Sequence, residues 1–168
     1  LSTLGAFNYG GQLTGSMTAH PRIDPATGEL LFFGYNVTSP YLTYMRADAA
    51  GNLVQVEPIT LTGPSLLHDF AVTERYAVFM ETPVRFSWRA VLSGSGLPFK
   101  WDADAPCRVG VLPRTGTDAD VKWFDIPPCF VFHFMNAFDR GDEVVVDAAR
   151  YDQLWVKDSN DFFHPARL

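Results

Sequence analysis

Cysteine is scarce in this chain of 168 residues: Cys107 and Cys129 are the only two, and they form no CxxC pair. Two thiols are too few for a disulfide scaffold, so both are expected reduced and the protein cytoplasmic. No run approaches the roughly eighteen consecutive apolar residues that a bilayer-spanning helix needs, so no transmembrane segment is expected. Basic residues are outnumbered, thirteen Lys and Arg against nineteen Asp and Glu, and they gather in no stripe or cluster that could neutralise phosphates. Nucleic acid is therefore not an expected partner. Helical patterning is nearly missing too, because no useful window repeats apolar residues at i, i+3, i+4 and i+7 without a Pro or Gly breaking it.

What the chain does have is apolar strand material. Hydrophobic residues make up 47% of it and Phe alone occurs fourteen times, enough apolar surface to offset the ordering entropy that leaves polar chains disordered. Short runs rich in β-branched and aromatic residues predict about nine strands: Leu30 to Tyr35, Tyr41 to Arg46, Leu53 to Ile59, Phe70 to Val72, Tyr76 to Thr82, Cys107 to Leu112, Val121 to Phe124, Phe130 to Asn136 and Glu143 to Tyr151. Between them, Asp24-Pro25-Ala26-Thr27-Gly28 and Asp48-Ala49-Ala50-Gly51-Asn52 carry the chemistry of tight turns. The segment from Arg85 to Ala105 reads as a long loop or lid. An all-β fold of antiparallel strands follows, and the spacing fits a sandwich or a propeller equally. The match of Asn36-Val37-Thr38 to a glycosylation sequon is too short to weigh.

Three of the four histidines share a placement, in or beside an apolar strand and several strands apart: His20 in Met17-Thr18-Ala19-His20-Pro21, His68 in Leu67-His68-Asp69-Phe70, and His133 in Phe130-Val131-Phe132-His133-Phe134-Met135-Asn136. Imidazoles delivered singly from distant strands can meet on one metal ion such as Fe(II), Zn(II), Cu(II) or Ni(II) if those strands surround an axis. The plain alternative is that each packs as an ordinary histidine, in a propeller or sandwich binding module without metal chemistry. A hydrolase has little support, since no Gly-x-Ser-x-Gly elbow occurs.

The segments Thr18-Ala19-His20-Pro21-Arg22-Ile23-Asp24-Pro25-Ala26-Thr27-Gly28-Glu29, His68-Asp69-Phe70-Ala71-Val72-Thr73-Glu74-Arg75-Tyr76 and Phe132-His133-Phe134-Met135-Asn136-Ala137-Phe138-Asp139 resemble, in order, the first three histidine motifs of the carotenoid cleavage oxygenase family. That family also takes in lignostilbene-type dioxygenases and a retinoid isomerase. The likeness continues through Arg108-Val109-Gly110-Val111-Leu112-Pro113-Arg114 and covers essentially the whole chain.

The resemblance implies a seven-bladed β-propeller with Fe(II) on its axis, of which residues 1–168 would form a partial oxygenase domain of about three to four blades, both ends looking cut. It implies His20, His68 and His133 as metal ligands, with the fourth histidine and the glutamates that hold the ligand rings lying outside this sequence. His164 reads as a loop histidine, and Glu29, Glu57, Glu74, Glu81 and Glu143 as solvated or turn residues. The implied activity is oxidative cleavage by O2 of an alkene C=C bond, in a carotenoid, apocarotenoid or stilbene-type substrate, to carbonyl products, with a lean toward the stilbene or apocarotenoid end. A hydrophobic or phenolic alkene and O2 are the expected partners, and peripheral membrane contact is open to the complete protein. Phe70, Phe134 and Met135, beside the ligands, are explained at least as well by packing.

Overall fold

A computed structural model describes residues 2–94 and 97–154. Twelve strands run through them. β1 (Arg22–Ile23), β2 (Leu30–Tyr35), β3 (Leu42–Ala47) and β4 (Leu53–Ile59) form one antiparallel meander of four strands. β5 (Ala71–Val72), β6 (Tyr76–Glu81), β9 (Arg108–Pro113) and β10 (Lys122–Asp125) form the second, in the order β5-β6-β9-β10. β7 (Val84–Phe86) and β8 (Phe99–Trp101) pair with each other in an excursion between β6 and β9. β11 (Phe130–Arg140) and β12 (Glu143–Tyr151) make a long hairpin. The all-β, antiparallel architecture is the one expected, with two four-stranded and two two-stranded sheets among the described residues.

The central strands are continuous apolar runs because both of their faces are covered. In β2, Leu31 and Phe33 pack into the core between the first two sheets while Phe32 turns to the opposite side, where Met45, Ala47 and the ring of Tyr9 cover it. In β6, Ala77 and Phe79 face the first sheet, and Met80 faces Cys129 and Val131 on the side of the hairpin. Phe33, Tyr44, Phe70 and Phe79 are fully buried and meet ring to ring, Phe70 stacking on Phe79 at 5.7 Å between centroids. Burial of such rings is the main apolar gain holding sheet to sheet.

Polar bonds fix how the sheets sit. Arg114, after β9, reaches back to Asp24 and Glu29 at the first sheet's hairpin, and Glu29 also takes Arg46. The Glu57 carboxylate accepts the backbone N–H of Asp118, and the Asp118 carboxylate accepts that of Thr60. On the other side Asp139 of β11 accepts Thr73 Oγ1 at 3.1 Å and Arg75 N at 3.1 Å.

The structure corrects several expectations. Glu81 is no solvated residue: its side chain is 0% exposed and salt-bridged to Arg85 and Arg108. Glu29 and Glu57 are half-buried polar ties, whereas Glu74 and Glu143 are exposed, as read. The span read as a loop or lid contains the last two residues of β7, all of β8 and a six-residue helix, α1 (Trp88–Ser93). This helix is too short to show a period, but Ser87 caps its first turn by accepting Ala90 N, and Gly94 at φ 65° closes it. β1, two residues long, gave no period to read, whereas the expected strand Phe70 to Val72 contains β5. Of the residues flanking the histidines, Phe70 is core and Phe134 packs beside Val131, but Met135 is 77% exposed, so packing does not explain it.

Candidate metal centre

Each four-stranded sheet begins with a two-residue strand, and two of the histidines stand just before these, while the third lies within the long hairpin strand. His20 lies two residues before β1, His68 three before β5, and His133 is the fourth residue of β11. The segment leading to His20 is held against β2: Thr18 N donates to Phe33 O at 2.7 Å. Gly34 permits that approach, since a Cβ there would come to 2.1 Å of Ser16 O. Thr18, nearly buried, then ties two ligand segments, its hydroxyl accepting His20 N at 3.1 Å and donating to His68 O at 3.4 Å. Phe70, two residues past His68, anchors that segment in the aromatic core. In β11 the pairing with β12 shifts register on both sides of Phe134, an irregularity that turns the strand at His133. Bulges of this kind re-aim a side chain at the edge of a site.

The three rings converge. Their centroids are 4.8 to 4.9 Å apart in every pairing, with interplanar angles of 63°, 81° and 89°, so the rings stand nearly edge to face. The Nε2 atoms of His20 and His68 are 3.0 Å apart, and one ring nitrogen from each of the three lies within 4.8 Å of the others. Metal–imidazole bonds of about 2.1 Å meeting at a right angle place their nitrogens about 3.0 Å apart. The His20–His68 pair has that spacing, and the donor set is one that suits Fe(II), Zn(II) and Cu(II) alike. Burial, followed by the charges of His20 and His133, pushes the His68 pKa down against the opposing pull of Asp69. That keeps the neutral imidazole, the form that coordinates a metal. His164 lies outside the described residues.

Beside the rings is an apparatus that reading the residues missed. Arg22 and Asp69 form an ion pair, and the Asp69 carboxylate also accepts the backbone N–H of Phe134 at 3.0 Å. A carboxylate in the apolar stretch Leu66-Leu67-His68-Asp69-Phe70-Ala71-Val72 was the available signal. A pocket of about 440 Å³ lined by Met17, Tyr35, Val37 and Leu67 reaches His68, while the larger hollows, about 710 and 800 Å³, lie away from the rings along β10–β12 and beside the Asp24 turn.

Residues 1–167 match the family model of retinal pigment epithelial membrane protein (RPE65). The chain belongs to the carotenoid cleavage oxygenase family. It is 42% identical over 153 residues to a carotenoid 9,10(9',10')-cleavage dioxygenase of Arabidopsis thaliana, covering 90% of this chain and 28% of that protein. It is 41% identical over 152 residues to a chloroplastic 9-cis-epoxycarotenoid dioxygenase of Oryza sativa, covering 88% and 24%. Among solved structures it resembles the lignostilbene dioxygenase of Pseudomonas brassicacearum, with 38% identity, TM-score 0.79 and coverage of 88% of this chain and 32% of that one. The cobalt-substituted apocarotenoid oxygenase of Synechocystis matches with 30% identity, TM-score 0.80 and coverage of 95% and 36%. The chain thus spans about a quarter to a third of the length of these family members. Among the described residues no helix is long and apolar enough to cross a membrane.

Proposed function

We propose that His20, His68 and His133 are ligands of an Fe(II) ion in an oxygenase that cleaves an alkene C=C bond of a carotenoid, apocarotenoid or stilbene-type substrate to two carbonyl products. The observation that carries the reading is the convergence of three imidazoles from segments of three different sheets, two of them with Nε2 atoms 3.0 Å apart, a spacing that one ion can bridge. That a relative of similar fold is cobalt-substituted supports a metal in this one. When bound, the iron supplies open positions at which O2 can be activated beside the alkene.

This chain's own share is orientation and exclusion. Thr18 and the irregularity of β11 aim the rings, and the apolar wall of Met17, Tyr35, Val37 and Leu67 suits a hydrophobic or phenolic alkene approaching His68. Because the ligands are uncharged, an ion held there keeps its full positive charge.

Two finer readings belong with this one. Contact with a membrane surface is supported by α1, which exposes Trp88 (63%), Val91 (44%) and Leu92 (87%), an apolar face the sequence reading had not seen. Cytoplasmic residence is supported by the two free thiols; some relatives are named as chloroplastic, and cell fractionation decides between the two.

The test of the activity uses the whole encoded protein loaded anaerobically with Fe(II), then given O2 with either an apocarotenoid or a hydroxystilbene, products being followed by chromatography. Aldehyde products that disappear in His133→Ala are expected. Intact substrate in every arm would leave a metal-free binding module as the reading.

A further inference from the structure

The Asp69 carboxylate touches all three ligand-bearing segments, and its environment is unlike that of an incidental ion pair. Its side chain is 2% exposed. Oδ1 accepts Arg22 Nη2 at 2.8 Å and Phe70 N at 2.9 Å; Oδ2 accepts the same Arg22 Nη2 at 2.9 Å and Phe134 N at 3.0 Å. A carboxylate offers about four lone-pair sites, so each oxygen is fully used. Arg22 lies two residues past His20 and also donates to Phe70 O at 3.2 Å; Asp69 follows His68; Phe134 follows His133.

The third bond explains the broken ladder of β11. Where pairing with β12 shifts on either side of Phe134, its N–H is turned to Asp69, and a charged acceptor takes the donor in a buried place. A change at one carboxylate would therefore move three rings relative to one another.

We propose that Asp69 is a positioning residue for the metal centre: by binding Arg22, Phe70 N–H and Phe134 N–H at once, it sets the mutual placement of His20, His68 and His133. This inference rests on the metal-centre reading above. A plain structural role would instead make Asp69 a buried ion pair whose loss lowers stability and leaves the metal affinity of folded molecules alone.

The experiment uses Co(II) as the probe in the whole encoded protein, recording its dissociation constant and visible ligand-field spectrum at a temperature where circular dichroism shows each variant folded. Asp69→Asn keeps the shape, but its amide NH2 faces only donors. It is expected to weaken Co(II) binding about ten- to a hundredfold and to change the spectrum, the range typical when a group supporting a metal ligand is lost. Arg22→Gln frees one of the three segments and is expected to show the same spectral change with a smaller loss of affinity. It decides the matter if Asp69→Asn does not fold. Glu81→Gln, in a comparably buried ion pair that bonds to none of these groups, is the control, expected to lower the melting temperature with affinity within about twofold of the parent protein. Unchanged Co(II) affinity and spectrum in the folded Asp69 and Arg22 variants would overturn the inference while leaving the metal centre standing, as would an equal loss in the control. Failure of the parent protein to bind Co(II) would overturn both.

Discussion

Replacing Glu81 with Gln tests the polar frame on which the sheets depend. The carboxylate accepts Thr62 N at 2.8 Å, Thr62 Oγ1 at 2.6 Å, Arg85 Nη1 at 2.9 Å and Arg108 Nε at 2.7 Å, and the two arginine side chains are only 10% and 18% exposed. An amide has one oxygen, so in either orientation its NH2 meets donors only and a guanidinium is left nearly buried without its counter-charge. Breaking one side of a buried ion pair costs about 3–5 kcal/mol. Arg108 keeps its place over the Trp123 ring, 4.1 Å from the centroid, and Arg85 keeps Gly63 O, which favours the low end, about 3 kcal/mol. With a urea dependence of about 2 kcal/mol per M, the unfolding midpoint should fall by about 1.5 M at pH 7 with an unchanged slope. The pH dependence has a fixed sign. Burial alone pushes the Glu81 carboxyl up, but the hydrogen bonds from Thr62, Arg108 and Arg85 outweigh it and hold the folded pKa below the ordinary value. The pair's contribution is therefore complete above the unfolded value near about 4.3 and is lost as pH falls through the folded one. The gap between parent and variant should narrow below about pH 4. A midpoint shift under about 0.5 M at pH 7 would mean that water already screens these charges, and the reasoning would fail.

Two other expectations follow from single residues. Gly34→Ala must displace the Ser16 carbonyl that a Cβ would meet at 2.1 Å, so it should cost about 1–3 kcal/mol in urea unfolding and weaken Co(II) binding through His20; unchanged stability would show that the segment yields freely. Burial pushes the Cys107 thiol up to about 11, and Cys129 is shielded by its own burial, so both should resist a thiol reagent at pH 8 in the folded protein and react once it is unfolded in urea; prompt reaction in the native state would contradict their burial.

The strands were legible where they are sandwiched. Leu30 to Tyr35 coincides with β2 and Tyr76 to Thr82 differs from β6 by one residue, while the more exposed β4 and β12 coincide with Leu53 to Ile59 and Glu143 to Tyr151 because turn residues bound them. What escaped was either too short or depended on distant partners. β1 spans only two residues, yet His20 stands just before it. Glu81 looks like any strand-end glutamate until Arg108, twenty-seven residues on, is brought beside it. The three histidines could be singled out by motif, since each ligand's identity is local to its segment. Asp69 could not be given a role, because that role is a bond to a backbone N–H sixty-five residues away, at an irregular point of β11 that no periodicity marks.

The most direct test of the metal centre is the iron content of the whole encoded protein after anaerobic Fe(II) loading and desalting, measured by mass spectrometry with and without His68→Ala. The three-histidine centre requires about one iron per chain in the parent protein and its loss on that substitution. A parent protein that retains no iron, or a His68→Ala variant that retains as much as the parent, would contradict it.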